Sequence, residues 1–102
     1  MKLSVIIPAY NEEQVIIATT TEVASYSHSL FGVEAEILVV DDGSTDTTVQ
    51  KVLSLPGVRL IQHQTNQGKG AAVRTGALAA SGDYVLFMDA DNSTKINELP
   101  AF

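Results

Sequence analysis

Four short apolar runs punctuate the chain: LSVII at 3–7, EILVV at 36–40, VRLIQ at 58–62 and YVLFM at 84–88. Each is rich in β-branched or aromatic residues and lacks clean polar alternation, the pattern of strands covered on both faces. The stretches between them are long enough for the crossover helices that parallel pairing requires. A first helix is predicted from about 12 to 30, capped by Asn11, with Glu12 and Glu13 in its first turn and Thr19-Thr20-Thr21 weakening its interior. A second, about 46–54, is capped by Ser44 or Thr45 and stops before Pro56-Gly57. The third, about 69–80, is dense in small residues (Ala71, Ala72, Gly76, Ala77, Ala79, Ala80), so it can press close to a sheet before Ser81-Gly82 stops it. The order β-α-β-α-β-α-β predicts an α/β, Rossmann-like fold: an open, mostly parallel sheet with helices on both faces.

Length and charge narrow this. With 102 residues, 45% of them hydrophobic, the chain is one folded domain at most, and no repeat or low-complexity linker divides it. Apolar stretches of five or six residues are too short to span a bilayer. The N-terminus makes a poor signal peptide, because Pro8, Tyr10, Asn11 and two acids interrupt the apolar run. With no cysteine either, a cytoplasmic location is expected. The net charge is −6, and six scattered basic residues make no patch for nucleic acid. An anionic partner would need something else to offset the repulsion, and a divalent cation would do so.

In open α/β sheets, ligands bind beyond the carboxyl ends of the strands. The first run is followed by Pro8-Ala9-Tyr10-Asn11-Glu12-Glu13, the second by Asp41-Asp42-Gly43-Ser44, the third by Gln67-Gly68-Lys69-Gly70 and the fourth by Asp89-Ala90-Asp91. The fold should therefore gather acids from three strand ends on one rim. Asp89 and Asp91, two apart, point the same way in an extended segment, an arrangement suited to Mg²⁺ or Mn²⁺ shared with a diphosphate. A solvated loop beside a helix cap is the plainer reading. One Asp of the DDGS stretch can either accept from a nucleobase or ribose or simply tie backbone N–H groups together. Tyr10 can stack on a base and Glu12 can bond a base or ribose edge, while the same loop can equally serve as a helix start. Gly68-Lys69-Gly70 is not a phosphate-binding P-loop and reads first as a turn, with Lys69 and Arg74 as weaker phosphate candidates. His28 and His63 lack metal-ligand spacing and read as ordinary surface or helix-end residues; Asn92-Ser93-Thr94 reads as a cap and Met88 as core.

Four stretches in order, SVIIPAYNEE, EILVVDDGSTD, NQGKGAAVRTG and GDYVLFMDAD, together resemble the nucleotide-binding half of family 2 glycosyltransferases with the GT-A fold. The likeness runs to dolichyl-phosphate or polyprenyl-phosphate mannosyl- and glucosyltransferases. It implies that Pro8, Ala9, Tyr10 and Glu12 line a nucleoside pocket with Val40 and Asp42. It also implies that Asp89, Ala90 and Asp91 form a D-x-D element whose acids hold Mg²⁺ or Mn²⁺ against a UDP- or GDP-sugar. The acceptor would be a lipid phosphate or a glycan. Ser93 stands where lipid-phosphate members often place a further metal ligand. The chain ends at Phe102, before the family's acceptor-binding segments and usual catalytic base. It is therefore expected to be the nucleotide-sugar-binding part, 1–102, of a C-terminally truncated domain, inactive in transfer by itself and prone to self-association through its bare sheet edge. Three alternatives stand beside this: a phosphorelay receiver using Asp89, a haloacid-dehalogenase-type phosphatase with Asp89 as nucleophile, and a non-catalytic nucleotide-binding module.

Overall fold

The computed structural model describes residues 3–31 and 35–87. Four strands alternate with three helices: β1 (Leu3–Ala9), α1 (Ile16–Phe31), β2 (Ala35–Asp41), α2 (Thr48–Leu53), β3 (Val58–Gln62), α3 (Lys69–Ala79) and β4 (Tyr84–Phe87). All described pairings are parallel, in the order β3-β2-β1-β4. β1 and β2 run two and one residues past their apolar cores because the ladder continues through Pro8–Val40 and Ala9–Asp41. Pro8, which lacks an N–H, lies in a central strand one position past Ile7 and beyond Ile6–Phe87, the last described β1–β4 pair.

Strand alternation divides the core in two. Leu3, Val5, Ile7 and Ala9 of β1 join Ile37, Val39 and Leu86 under Ile16 and Val23 of α1 and Val52 of α2. On the opposite face Ile6, Val40 and Ala72 pack together, with Ile61 and Val85 against them. Both faces are thus covered, which explains the near-continuous apolar runs. Burial of each such Ile, Leu or Val contributes about 1.5–3 kcal/mol.

The small residues of α3 serve the close approach the sequence predicts. A Cβ on Gly76 would fall 2.5 Å from Cγ2 of buried Ile6. At the amino ends of the strands, one carboxylate closes this layer. Glu36 accepts from the Ser4 hydroxyl (2.7 Å), the Ser81 N–H (3.0 Å) and Arg59 Nη1 (3.0 Å), while Ser4 Oγ accepts from Gly82 N–H (2.9 Å). The Ser81 N–H, working against the cost of burial and helped by Ser4 and Arg59, holds the Glu36 carboxyl at about 2.

Helix starts differ from the sequence expectation. α1 begins at Ile16, four residues later than predicted, and has no acid in its first turn. Asn11 does not cap it: its backbone is left-handed (φ 52°) and its side chain is turned to the next loop. The cap of α2 is Thr47 rather than Ser44 or Thr45, both of which serve Asn11. In each case a bond across loops replaced the local cap inferred from spacing.

Candidate functional site

At the carboxyl ends of β1 and β2 the two following loops are tied together. The Asn11 N–H donates to Ser44 Oγ (2.8 Å), and Asn11 Oδ1 accepts from the Thr45 N–H (2.8 Å). The Glu12 N–H donates to Thr48 Oγ1 (2.9 Å), whose hydroxyl in turn donates to Asp46 Oδ1. Glu13 Oε1 accepts from the Thr47 N–H (3.0 Å) and hydroxyl (2.6 Å), and Lys51 Nζ donates to the Glu13 carbonyl (2.7 Å). Apart from the local Thr48–Asp46 bond, these join residues more than thirty positions apart, so Tyr10, half-exposed at the tip of the first loop, is carried on a rigid base. Burial opposes ionisation of Asp46, but the Thr48 hydroxyl and N–H and the Glu13 N–H outweigh it and hold its carboxyl below the ordinary value.

The paired acids diverge in role. Asp42 sits at the centre of the β3–α3 connection. Its Oδ1 accepts from the Gln67 N–H (2.8 Å) and lies 2.8 Å from His63 Nδ1, while its Oδ2 accepts from the Gly68 N–H (2.8 Å). Three of the roughly four acceptor positions of the carboxylate are therefore taken by protein donors. Burial would raise its pKa, but His63 and the two N–H groups more than compensate and lower it. Asp41 is just as buried, at 2% exposure, and its Oδ2 accepts from the Ser44 N–H (3.0 Å). Its Oδ1 has no hydrogen-bond partner among the described residues. A buried carboxylate oxygen without a donor is costly, and atoms of this kind mark places where a ligand completes the set. Gly43 makes the crossing of the loops possible. It has φ +81°, and a Cβ there would lie 2.7 Å from the Asn66 backbone N.

The structure brings Pro8, Ala9, Tyr10, Glu12, Val40, Asp42 and Lys69 to this rim or the strands beneath it, in different capacities. Pro8 and Ala9 are buried in β1, Val40 faces Ile6 and Ala72 in the α3-side core, and Glu12 is half-buried. Lys69 opens α3 and Arg74 is exposed further along it. Asp89, Ala90 and Asp91, the proposed metal element, lie outside the described residues. The described residues contain no group of three or more His, Cys, Asp or Glu able to hold a metal. His63 corrects the sequence reading. It is not a surface residue: its side chain is 9% exposed and sits between Asp42 and Thr75. Only a carboxylate and a hydroxyl far away in sequence give it that role, so no local spacing announces it. The tie of Thr48 and Asp46 to the first loop was likewise hidden inside ordinary turn chemistry.

The sequence profile described as "Glycosyl transferase family 2" matches residues 4–102. The chain belongs to this family. A relative from Saccharomyces cerevisiae named dolichyl-phosphate beta-glucosyltransferase is 41% identical over 106 residues, covering 95% of this chain and 32% of its own length. Among solved structures, S. aureus TarS 1-349 in complex with UDP superposes with a TM-score of 0.74 at 35% identity, over 89% of this chain and 28% of that one. The mannosyltransferase PcManGT from Pyrobaculum calidifontis, in complex with GDP-Man and Mn²⁺, gives 0.72 at 30% identity, over 88% and 27%. The chain spans about a third of the length of the curated relatives it matches. The fold is a partial GT-A fold of the Rossmann-like kind. The strand order also separates the family 2 glycosyltransferase from the receiver alternative, since a flavodoxin-like receiver places β3, not β4, beside β1.

Proposed function

We propose that this chain is the nucleotide-sugar-binding part of a glycosyltransferase that takes a UDP- or GDP-sugar with Mg²⁺ or Mn²⁺ and serves transfer to a lipid-phosphate or glycan acceptor. One observation carries the reading. Strand order reverses between β1 and β4, so the turn bearing Tyr10 and the carboxyl end of β4 at Phe87 flank the crevice where such sheets bind nucleotides. The Asp41 oxygen that lacks a partner among the described residues belongs to the same rim, at the carboxyl end of the strand paired with β1. The names of the S. aureus and Pyrobaculum structures, with UDP and with GDP-Man and Mn²⁺, support the same ligand class.

In this reading Tyr10 stacks on the base, and Glu12 and Asp41 accept from base or ribose donors. Pro8, Ala9 and Val40 shape the wall beneath them. Asp42 acts by holding the loop that carries Lys69 toward phosphate, with Arg74 further along α3. Hard carboxylate oxygens fit Mg²⁺ or Mn²⁺, and the residues that would hold the ion are Asp89 and Asp91. A bound ion would offset charge on the departing nucleoside diphosphate. The lipid-phosphate acceptor follows the name of the yeast relative.

Calorimetric titration with UDP and with GDP, with and without Mn²⁺, on wild type and Asp91→Ala tests this. Metal-dependent binding of one nucleotide, lost in the variant, is the expected result; no binding of either in any condition overturns the reading.

A further inference from the structure

We infer that His63 is a positioning residue for the donor site, an inference that rests on the nucleotide reading above. It is a crosslink that fixes both the tilt of α3 and the loop at its amino end through one imidazole ring. The ring lies at the end of β3 with both nitrogens engaged, Nδ1 to Asp42 Oδ1 and Nε2 to Thr75 Oγ1, each at 2.8 Å. An ionised Asp42 only accepts, so Nδ1 carries the proton, and in the neutral ring Nε2 accepts from the Thr75 hydroxyl. The His63 N–H also donates to the Asp41 carbonyl (2.8 Å), which ties the ring's backbone to the strand whose Asp41 Oδ1 has no partner among the described residues.

What the ring orients is specific. Asp42, held on one side by His63, presents two further lone pairs to the Gln67 and Gly68 N–H groups. Asn66 closes the same loop by donating from Nδ2 to the Asp42 carbonyl (3.2 Å). Gly68, at φ 101°, then launches α3 without any side-chain cap. A helix start of this kind takes its position from outside the helix, and Asp42 supplies it. Thr75, about two turns on from Gly68, supplies the second fixed point. Two anchors on one rigid ring set where Lys69 and the first N–H groups of α3 face. Removing the ring would leave the sheet intact, since Ile6, Val40 and Ala72 still seat the helix.

Two amide replacements separate the arms. Asn places its NH₂ close to the position of Nδ1, and Gln close to that of Nε2. His63→Gln should weaken binding of UDP or GDP, whichever the wild-type chain takes with Mn²⁺, by about tenfold, the size of one lost charge-assisted hydrogen bond. Hydrogen exchange at the Gln67 and Gly68 amides should accelerate, with Val5 and Val39 amides unchanged. His63→Asn should restore both readouts to within about threefold of wild type, a difference of well under 1 kcal/mol. Equal nucleotide affinity and equal Gln67 and Gly68 protection in folded His63→Gln would overturn the proposal while leaving the nucleotide reading standing. Should that variant not fold, the wild-type chain decides. Nucleotide addition should slow exchange at Gln67, Gly68 and Lys69, and no change there overturns the proposal alone. Failure of wild type to bind either nucleotide overturns the reading and this inference with it.

Discussion

The two rims of the sheet use acids in opposite ways. At the amino ends, Glu36 is saturated: Ser4, Ser81 and Arg59 all donate to it, and it joins β2 to β1, β3 and the segment before β4. At the carboxyl ends, Asp41, Asp42, Asp46, Glu12 and Glu13 crowd together. The donors that reach them are mostly backbone N–H groups and hydroxyls, with His63 beside Asp42 and one lysine reaching a carbonyl. One carboxylate oxygen there is left without a partner among the described residues. Among the described residues the first rim is finished by folding and the second is not. A fold keeps an unfinished polar rim where something else completes it.

Substitutions can break this contrast, and the largest effect should come from Gly43→Ala. The left-handed backbone costs about 1–2 kcal/mol, and the Cβ would strike the Asn66 backbone at 2.7 Å, adding about 1–3 kcal/mol. Chemical denaturation should show that loss, together with loss of nucleotide binding. Next comes Glu36→Ala, which strands the donors of Ser4 and Ser81 and should cost about 2 kcal/mol in the same assay. Affinity of the folded fraction should stay unchanged. Asp41→Asn is the converse. Its amide oxygen still accepts from Ser44, so the melting temperature should hold or rise slightly, while affinity falls about tenfold or more as a charged acceptor is lost. If Asp41→Asn loses stability and keeps affinity, the two rims do not differ in the way described.

A smaller effect sharpens the comparison through pH. The folded-state carboxyl of Glu36 is depressed to about 2 from an ordinary value near 4.5, so its contribution is present above the ordinary value and lost as pH falls toward 2. Asp42 and Asp46 are lowered too and act in the same direction. Stability should therefore decline below about pH 4.5, and Glu36→Gln should flatten that decline when acid unfolding is followed by circular dichroism.

The same contrast explains what was legible in the sequence. Strands that cross the core read directly, because LSVII and EILVV must be apolar on both faces. The small residues of α3 announced a close seat, and Gly76 against Ile6 delivers it. Helix starts were misplaced by as much as four residues, because Asn11, Ser44 and Thr45 bond across more than thirty positions rather than to their own helices. His63 was unreadable for the same reason: its partners are 21 residues before it and 12 after it. Of the DDGS acids, the sequence could not say which one braces and which one is left open. Burial is equal, and only the loop geometry tells Asp42 from Asp41.

The central claim is that the carboxyl rim awaits a metal–nucleotide complex. Paramagnetic broadening of backbone amides by Mn²⁺ in the presence of UDP or GDP tests it most directly. The account predicts broadening concentrated at Tyr10, Asp41 to Ser44 and Gln67 to Lys69, with Ser4, Glu36 and Ser81 untouched. Broadening centred on Glu36, or spread evenly over both rims, would contradict it.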